Sequence, residues 1–169
     1  MLTKLEKAEK EWGGANKLID QWLEHRRNLL ISYCKLAGCA PYPSKSCLPN
    51  LSQVNQFCDL IVDYVSEGHF DVYNHMVTAC EQHGQHSREL VSKLLPEIHQ
   101  TTDDILDFSD KYADAEEETV LYDLDQDLAN LIHALETRFG FEDQLLEILY
   151  LYVSVAPAES SEENSATIN

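Results

Sequence analysis

His83 and His86 stand three residues apart, with Cys80 and Glu81 just before them, a set of side chains that could surround a divalent metal. Gly84 falls between the two histidines at an expected helix end, and four converging ligands are not evident from the spacing. The sequence therefore assigns no metal and no cofactor, and reads these as exposed turn histidines. A phosphohistidine carrier needs an exposed His beside a cation for the phosphoryl group, which His86-Ser87-Arg88 and His75 meet only loosely. A carboxylate-bridged di-iron bundle needs Glu-x-x-His pairs, and no His here has Glu three residues before it. No Gly-Lys-Ser/Thr follows the one glycine pair, Gly13-Gly14, and no Gly-x-Ser-x-Gly elbow occurs. No catalytic residue is assigned, and the chain reads as a non-enzyme.

Three polar clusters interrupt apolar helical faces instead. Asp20, Trp22, Arg26 and Arg27 form the first, Asp63-Tyr64-Val65-Ser66-Glu67-Gly68-His69-Phe70 the second, and Arg138-Phe139-Gly140-Phe141-Glu142-Asp143 the third. Asp63 is expected near a helix C-terminus, where the dipole disfavours an acid, so another group should hold it. Two readings stay open. In one, Asp20, Arg26, Asp63, His69, Arg138 and Glu142 satisfy one another as an internal network, because buried charges must be paired. In the other, these residues with Trp22, Tyr64 and Phe70 rim a binding groove, because aromatics and Arg dominate interface hot spots.

Charge points to a class of partner. Twelve Lys and Arg stand against 30 Asp and Glu in 169 residues, a formal net charge of -18. The first 48 residues are at +3, residues 49–113 at -8 and residues 114–169 at -13. Such a chain repels nucleic acid and anionic lipid, which bind by giving their phosphates to Lys and Arg, and it favours a basic protein. No apolar run reaches the ~20 residues that span a bilayer, and Met1 to Glu11 alternates Lys and Glu where a secretory segment would be apolar, so a cytoplasmic protein is expected. Five Cys with no Cys-x-x-Cys pair suit a reducing compartment and packing roles.

The elements that must position these clusters are all helical. Leu18, Ile19, Trp22, Leu23, Leu29, Leu30, Tyr33 and Leu36 recur at three- and four-residue steps, predicting a helix over 15–36 that Gly38 closes. The alternating charges of residues 1–14 predict a marginal, exposed helical extension before Gly13-Gly14. After a Pro-containing loop, Ser52 is the expected N-cap of a helix striped by Val54, Phe57, Cys58, Ile61 and Val65, with Gly68 placed to end it. Phe70 to Cys80 predicts a third, short helix closed by Gly84. Ser87 to Tyr112 predicts either one bent helix or two segments at Pro96. From Glu116 a long helix carries past Gly140, where a bend is expected more than a stop. The expectation is an all-α fold: an antiparallel helical bundle with a four-helix core and additional short helices. Residues 1–156 form one domain in this reading, and the acidic tail 157–169 is expected to be disordered.

The motifs carry a resemblance. Glu11-Trp12-Gly13-Gly14-Ala15-Asn16-Lys17-Leu18-Ile19-Asp20-Gln21-Trp22-Leu23, followed by Arg27-Asn28-Leu29-Leu30, resembles the opening of the Rsd/AlgQ family of bacterial anti-sigma factors. Phe57-Cys58-Asp59-Leu60-Ile61-Val62-Asp63-Tyr64-Val65-Ser66-Glu67-Gly68-His69-Phe70-Asp71-Val72-Tyr73 is similar to that family's most specific motif. Arg138-Phe139 with Glu142-Asp143 is similar to its C-terminal element, and Leu94 and Pro96 match in place. The likeness covers roughly residues 1 to 155; Gly140, the loop Cys39 to Pro49 and the tail depart from it.

The resemblance implies a helical bundle that binds the C-terminal promoter-recognition domain of the primary sigma factor, 1:1, and blocks its association with core RNA polymerase and with the promoter -35 element. For some members it also implies the phosphocarrier HPr and the alarmone enzyme SpoT as partners. The expected partner-binding or supporting residues are Asp63, Ser66, His69 and Phe70, with Asp20, Trp22 and Arg26 facing them if the first two long helices are neighbours. A phosphocarrier-linked adaptor or phosphotransfer module on the same bundle is the alternative.

Overall fold

A computed structural model describes residues 2–14, 16–39, 41–42, 49–82 and 85–153. Six α-helices follow one another: α1 (Leu2–Trp12), α2 (Lys17–Leu36), α3 (Leu51–Glu67), α4 (Tyr73–Gln82), α5 (Gln85–Tyr112) and α6 (Leu124–Val153). A π-helical turn (Gly68–Val72) joins α3 to α4, and a 3-10 turn (Glu118–Asp123) leads into α6. Among the described residues there is no strand, and the fold is all-α as the periodicity predicts. The tail beyond Val153, Gly84 and His83 lie outside the described residues.

Cross-helix pairs show how the long helices run. His25 pairs with Glu67 while Tyr33 meets Phe57, so α2 and α3 are antiparallel. Phe57 meets Phe108 while His69 meets His99, so α3 and α5 are antiparallel too. Arg138 reaches Thr102 while Lys111 reaches Asp127, and Arg26 reaches Glu142 while the Tyr33 hydroxyl donates to the Leu128 carbonyl. α6 therefore runs against both α5 and α2, and α4 packs across α5 and α6. The apolar stripes meet in one core holding Trp22, Phe57, Ile61, Ile98, Ile105 and Leu135, all fully buried.

The helix ends explain several departures from the expected boundaries. α2 begins at Lys17, not Ala15, because the Asn16 side chain accepts from Leu18 N–H and caps the first turn. Gly38, at φ +66°, turns the chain out of α2 as expected. α3 is capped by Asn50, not by Ser52: the Asn50 side chain accepts from Gln53 N–H while the Gln53 side chain accepts from Asn50 N–H, a reciprocal capping box that a lone serine two residues later does not provide.

Gly68 does not end its helix. It keeps right-handed helical angles and its carbonyl accepts from the Tyr73 N–H, the i to i+5 bond that inserts one extra residue and carries the chain into α4 without a loop. Pro96 lies inside the single helix α5, and α6 passes through Gly140 unbroken as one helix. α1 is not merely an exposed extension, since Leu5 and Ala8 are buried against α2 and α6 and Glu9 pairs with Arg27. Two apolar positions one turn apart are enough to seat a helix once a tertiary surface is present, and charge alternation alone does not report that surface.

Candidate protein-docking site

The site is built outward from a buried ionic cluster. α6 contributes Arg138 and Glu142, one turn apart on its inward face, with half-buried Asp143 at the edge of that face, and α2 contributes Arg26. Arg26, Arg138 and Glu142 are 1 %, 0 % and 0 % exposed, so each charge must find its partner inside the protein. Arg26 gives one η-nitrogen to Glu142 Oε2 at 2.9 Å, the other to Asp143 Oδ1 at 2.5 Å, and its Nε to the Tyr64 hydroxyl at 3.1 Å. Arg138 gives its Nε to Glu142 Oε1 at 2.8 Å and its η-nitrogens to the Tyr73 and Thr102 hydroxyls, both at 2.9 Å.

Glu142 is saturated. Its Oε1 also accepts from the Tyr73 hydroxyl at 2.6 Å, and its Oε2 from the Tyr64 hydroxyl at 2.5 Å. Two guanidinium groups therefore face two carboxylates, with the tyrosine hydroxyls filling the remaining lone pairs. Burial opposes the charge on Arg26, but Tyr64, Glu142 and Asp143 outweigh it and hold the guanidinium above its ordinary pKa. Burial, reinforced by Glu142, raises Tyr64 and Tyr73 well above the usual phenol value. Arg26 therefore stays charged, and both phenols stay protonated, across the neutral range.

Aromatic packing ties this cluster to the surface. Trp22 stacks on Tyr64 with centroids 5.7 Å apart and planes 2° from parallel, and meets Tyr73 edge-on at 6.0 Å. Arg26 lies between the rings of Trp22 and Phe139. Gly68 sits directly against this group: a Cβ there would come within 3.0 Å of the Tyr73 hydroxyl and 3.4 Å of Trp22 Nε1. The missing side chain lets the π-helical turn lie on the cluster, and the turn projects His69 and Phe70 outward.

Phe70 is 66 % exposed, unusual for a large apolar side chain, and the His69 ring meets it edge-on at 5.0 Å. The Phe70 carbonyl accepts from the Asn74 side chain at 2.7 Å, which steadies the turn. Asp59, Val62 and Asp63 are exposed and Ser66 is half-buried along the outer face of α3, at the three- and four-residue steps that lead to Phe70. Between Leu51 and Gln82 there is no Lys or Arg, so what this segment gives the surface is acidic with an aromatic tip.

The expected site residues thus divide. Asp63, Ser66, His69 and Phe70 share one surface, as expected, whereas Trp22 and Arg26 are core side chains beneath it and offer it no contact atoms. Asp20 faces the α1–α2 turn, where it accepts from Gly14 N–H at 2.6 Å. The internal network contains Arg26, Arg138 and Glu142 but not Asp20, Asp63 or His69. Tyr64, Tyr73, Thr102 and Asp143 complete it, and of these Tyr64 and Asp143 stood in clusters singled out by sequence. His75 lies beside the Asn16 amide, and His86 is exposed; the Cys80 and Glu81 side chains, like His83, lie outside the described residues.

Fold and site together define an all-helical protein that holds an acidic, aromatic-tipped surface on a rigid ionic core. The chain belongs to the Rsd/AlgQ family of regulators of the RNA polymerase sigma(70) subunit, whose family model matches residues 1–150. A protein named regulator of sigma D from Yersinia enterocolitica is 36% identical over 148 residues, covering 87% of this chain and 89% of its own length. One of the same name from Enterobacter is 34% identical over 149 residues, covering 88% and 89%. No described helix is long and apolar enough to cross a membrane.

Proposed function

We propose that this chain is a stoichiometric, non-enzymatic inhibitor that binds the C-terminal promoter-recognition domain of the primary sigma factor, 1:1, and keeps it from core RNA polymerase and from the promoter -35 element. The observation that carries this reading is Phe70, exposed at the end of an acidic segment that holds no Lys or Arg from Leu51 to Gln82, in a member of a family of sigma(70) regulators. A promoter-recognition domain of helix-turn-helix type grips phosphates with cations, and an acidic surface competes for the same cations. In this account Phe70 is the apolar anchor, Asp63 pairs with a cation, and Ser66 and His69 supply hydrogen bonds beside it. Asp20, Trp22 and Arg26 act from beneath, by fixing α2 and the turn. HPr and SpoT as further partners rest on family likeness alone.

Calorimetric titration of the full chain with the isolated sigma domain at physiological salt tests the proposal. It predicts heat that saturates at 1:1, and competition by core RNA polymerase. No heat, with both proteins folded, contradicts it. Electrostatic steering further predicts an on-rate that falls as ionic strength rises through ~0.15 M, where the Debye length is about 8 Å. A flat on-rate removes steering from the account.

A further inference from the structure

On another face of the molecule, α5 and α6 leave an open groove of about 710 Å³. Glu97, Asp104 and Asp107 stand along its α5 wall, and Asp127, Asn130 and Thr137 along its α6 wall. Ala134 and Phe141, both half-buried, face the buried Phe108 and Leu131 to give an apolar floor, and Ala134 is small enough to leave the furrow open. Lys111, the one Lys or Arg lining the groove, is already held at 2.6 Å by Asp127 and at 3.3 Å by Asp123. The groove therefore has an apolar floor, a carboxylate-lined α5 wall and a neutralised cation.

Its dimensions fit one kind of occupant. From Glu97 to Lys111 on α5, and from Asp127 to Phe141 on α6, each wall runs 15 residues, about 21 Å from end to end at the α-helical rise. That is the length of a four-turn helix, and recognition of a helix in a groove uses an apolar stripe against such a floor. We propose that this groove seats a basic amphipathic helix of a partner protein, with small or branched apolar residues on the floor and Lys or Arg reaching Glu97, Asp104 and Asp107. Neither the chain's own tail nor a second copy suits it: residues 154–169 carry three Glu and no Lys or Arg, and the whole chain is at -18. The site is independent of the sigma-domain reading, because Asp104 lies about 140° around α5 from His99, the residue that meets the His69 side of the docking surface.

The test is fluorescence anisotropy on the full chain with a labelled synthetic helix of about 14 residues, Leu on one stripe and Arg on both flanks, beside a control in which Glu replaces each Arg. The expected result is saturable binding of the Arg helix only, weakened at least tenfold by Asp104→Asn with Asp107→Asn and by Ala134→Arg, and unchanged by Phe70→Ala. The paired Asn variant changes exposed positions and keeps the fold, which circular dichroism verifies. Equal affinity for wild type and both groove variants, or no saturable binding, overturns the proposal. So does a chain ending at Val153 that binds the helix more than tenfold tighter, which would give the groove to the tail. Loss of sigma-domain binding in Phe70→Ala with helix binding intact would separate the two sites; loss of both together in that variant would contradict their independence.

Discussion

The Tyr73 hydroxyl donates to Glu142 Oε1 at 2.6 Å, across 69 residues of sequence, and this bond pins the first residue of α4 to the middle of α6. Tyr64, on α3, donates to the other oxygen of the same carboxylate. Both ends of the π-helical turn are thereby anchored to one buried group. The exposed position of Phe70 follows from that pair of anchors, so the buried cluster and the docking surface are one structural unit.

Removing the carboxylate should therefore be costly. Glu142→Ala leaves Arg26 and Arg138 buried with only Asp143 between them, and breaking a buried pair in this way costs about 3–5 kcal/mol. Urea unfolding of the variant is expected to show a loss of that size. A loss below about 1 kcal/mol would mean that the cluster is not what holds the core at this point.

Gly68→Ala tests the close approach directly. The backbone there is ordinary right-handed helix, so alanine is not strained by its angles and would be favoured by helix propensity alone. The contact at 3.0 Å to the Tyr73 hydroxyl reverses that preference, and a destabilisation of about 1–3 kcal/mol is expected. A stabilised variant would show that the turn does not press on the cluster.

Acid sensitivity should centre on the other end of α6. Burial works to raise the Asp127 carboxyl, but hydrogen bonds from Lys111 and Tyr112 outweigh it and hold the group below its ordinary 3.8. A depressed carboxylate contributes stability that is present above its unfolded pKa and lost as pH falls through the folded one. Stability of wild type relative to Asp127→Asn is thus expected to be constant above about pH 5 and to shrink below about pH 4. A difference that grows on acidification would contradict the assignment.

Thiol chemistry should follow burial. Cys58 is enclosed in the core and its thiol is pushed up to about 11 by that burial, and burial also raises the half-buried Cys34, while Cys39 is exposed. The thiolate is the reactive form, so alkylation at neutral pH is expected at Cys39 well before Cys58. Peptide mapping reads the order, and early modification of Cys58 would show that the core opens.

Much of this was legible in the sequence because it depends on spacing. The stripes from Leu18 to Leu36, Val54 to Val65 and Leu124 to Leu149 located the long helices, whereas the expected start at Glu116 was too early, since Glu118–Asp123 forms a 3-10 turn and α6 begins at Leu124. Arg26 and Glu142 stood out as polar groups on apolar faces. Tyr73 was hidden because a tyrosine at a helical core position reads as packing, and its hydroxyl bond depends on a residue 69 positions away. A glycine after an apolar stripe signals a stop locally, whereas the reason for Gly68 here is contact with Trp22 and Tyr73. Asp63 and His69 looked like network members beside Arg26, but the extra residue of the π-helical turn and the outer face of α3 put them on the surface. Asn50 becomes the recognisable cap, ahead of Ser52, only when its Gln53 capping-box partner is read with it.

The central claim is that Phe70 and Asp63 form a contact surface for the sigma factor's C-terminal domain. Calorimetry of that domain against wild type, Phe70→Ala and Asp63→Ala, each checked for an unchanged melting temperature, measures it directly. The account predicts that each substitution costs about 2 kcal/mol or more, roughly a 30-fold loss of affinity, without unfolding the protein. Wild-type affinity in both variants would contradict it.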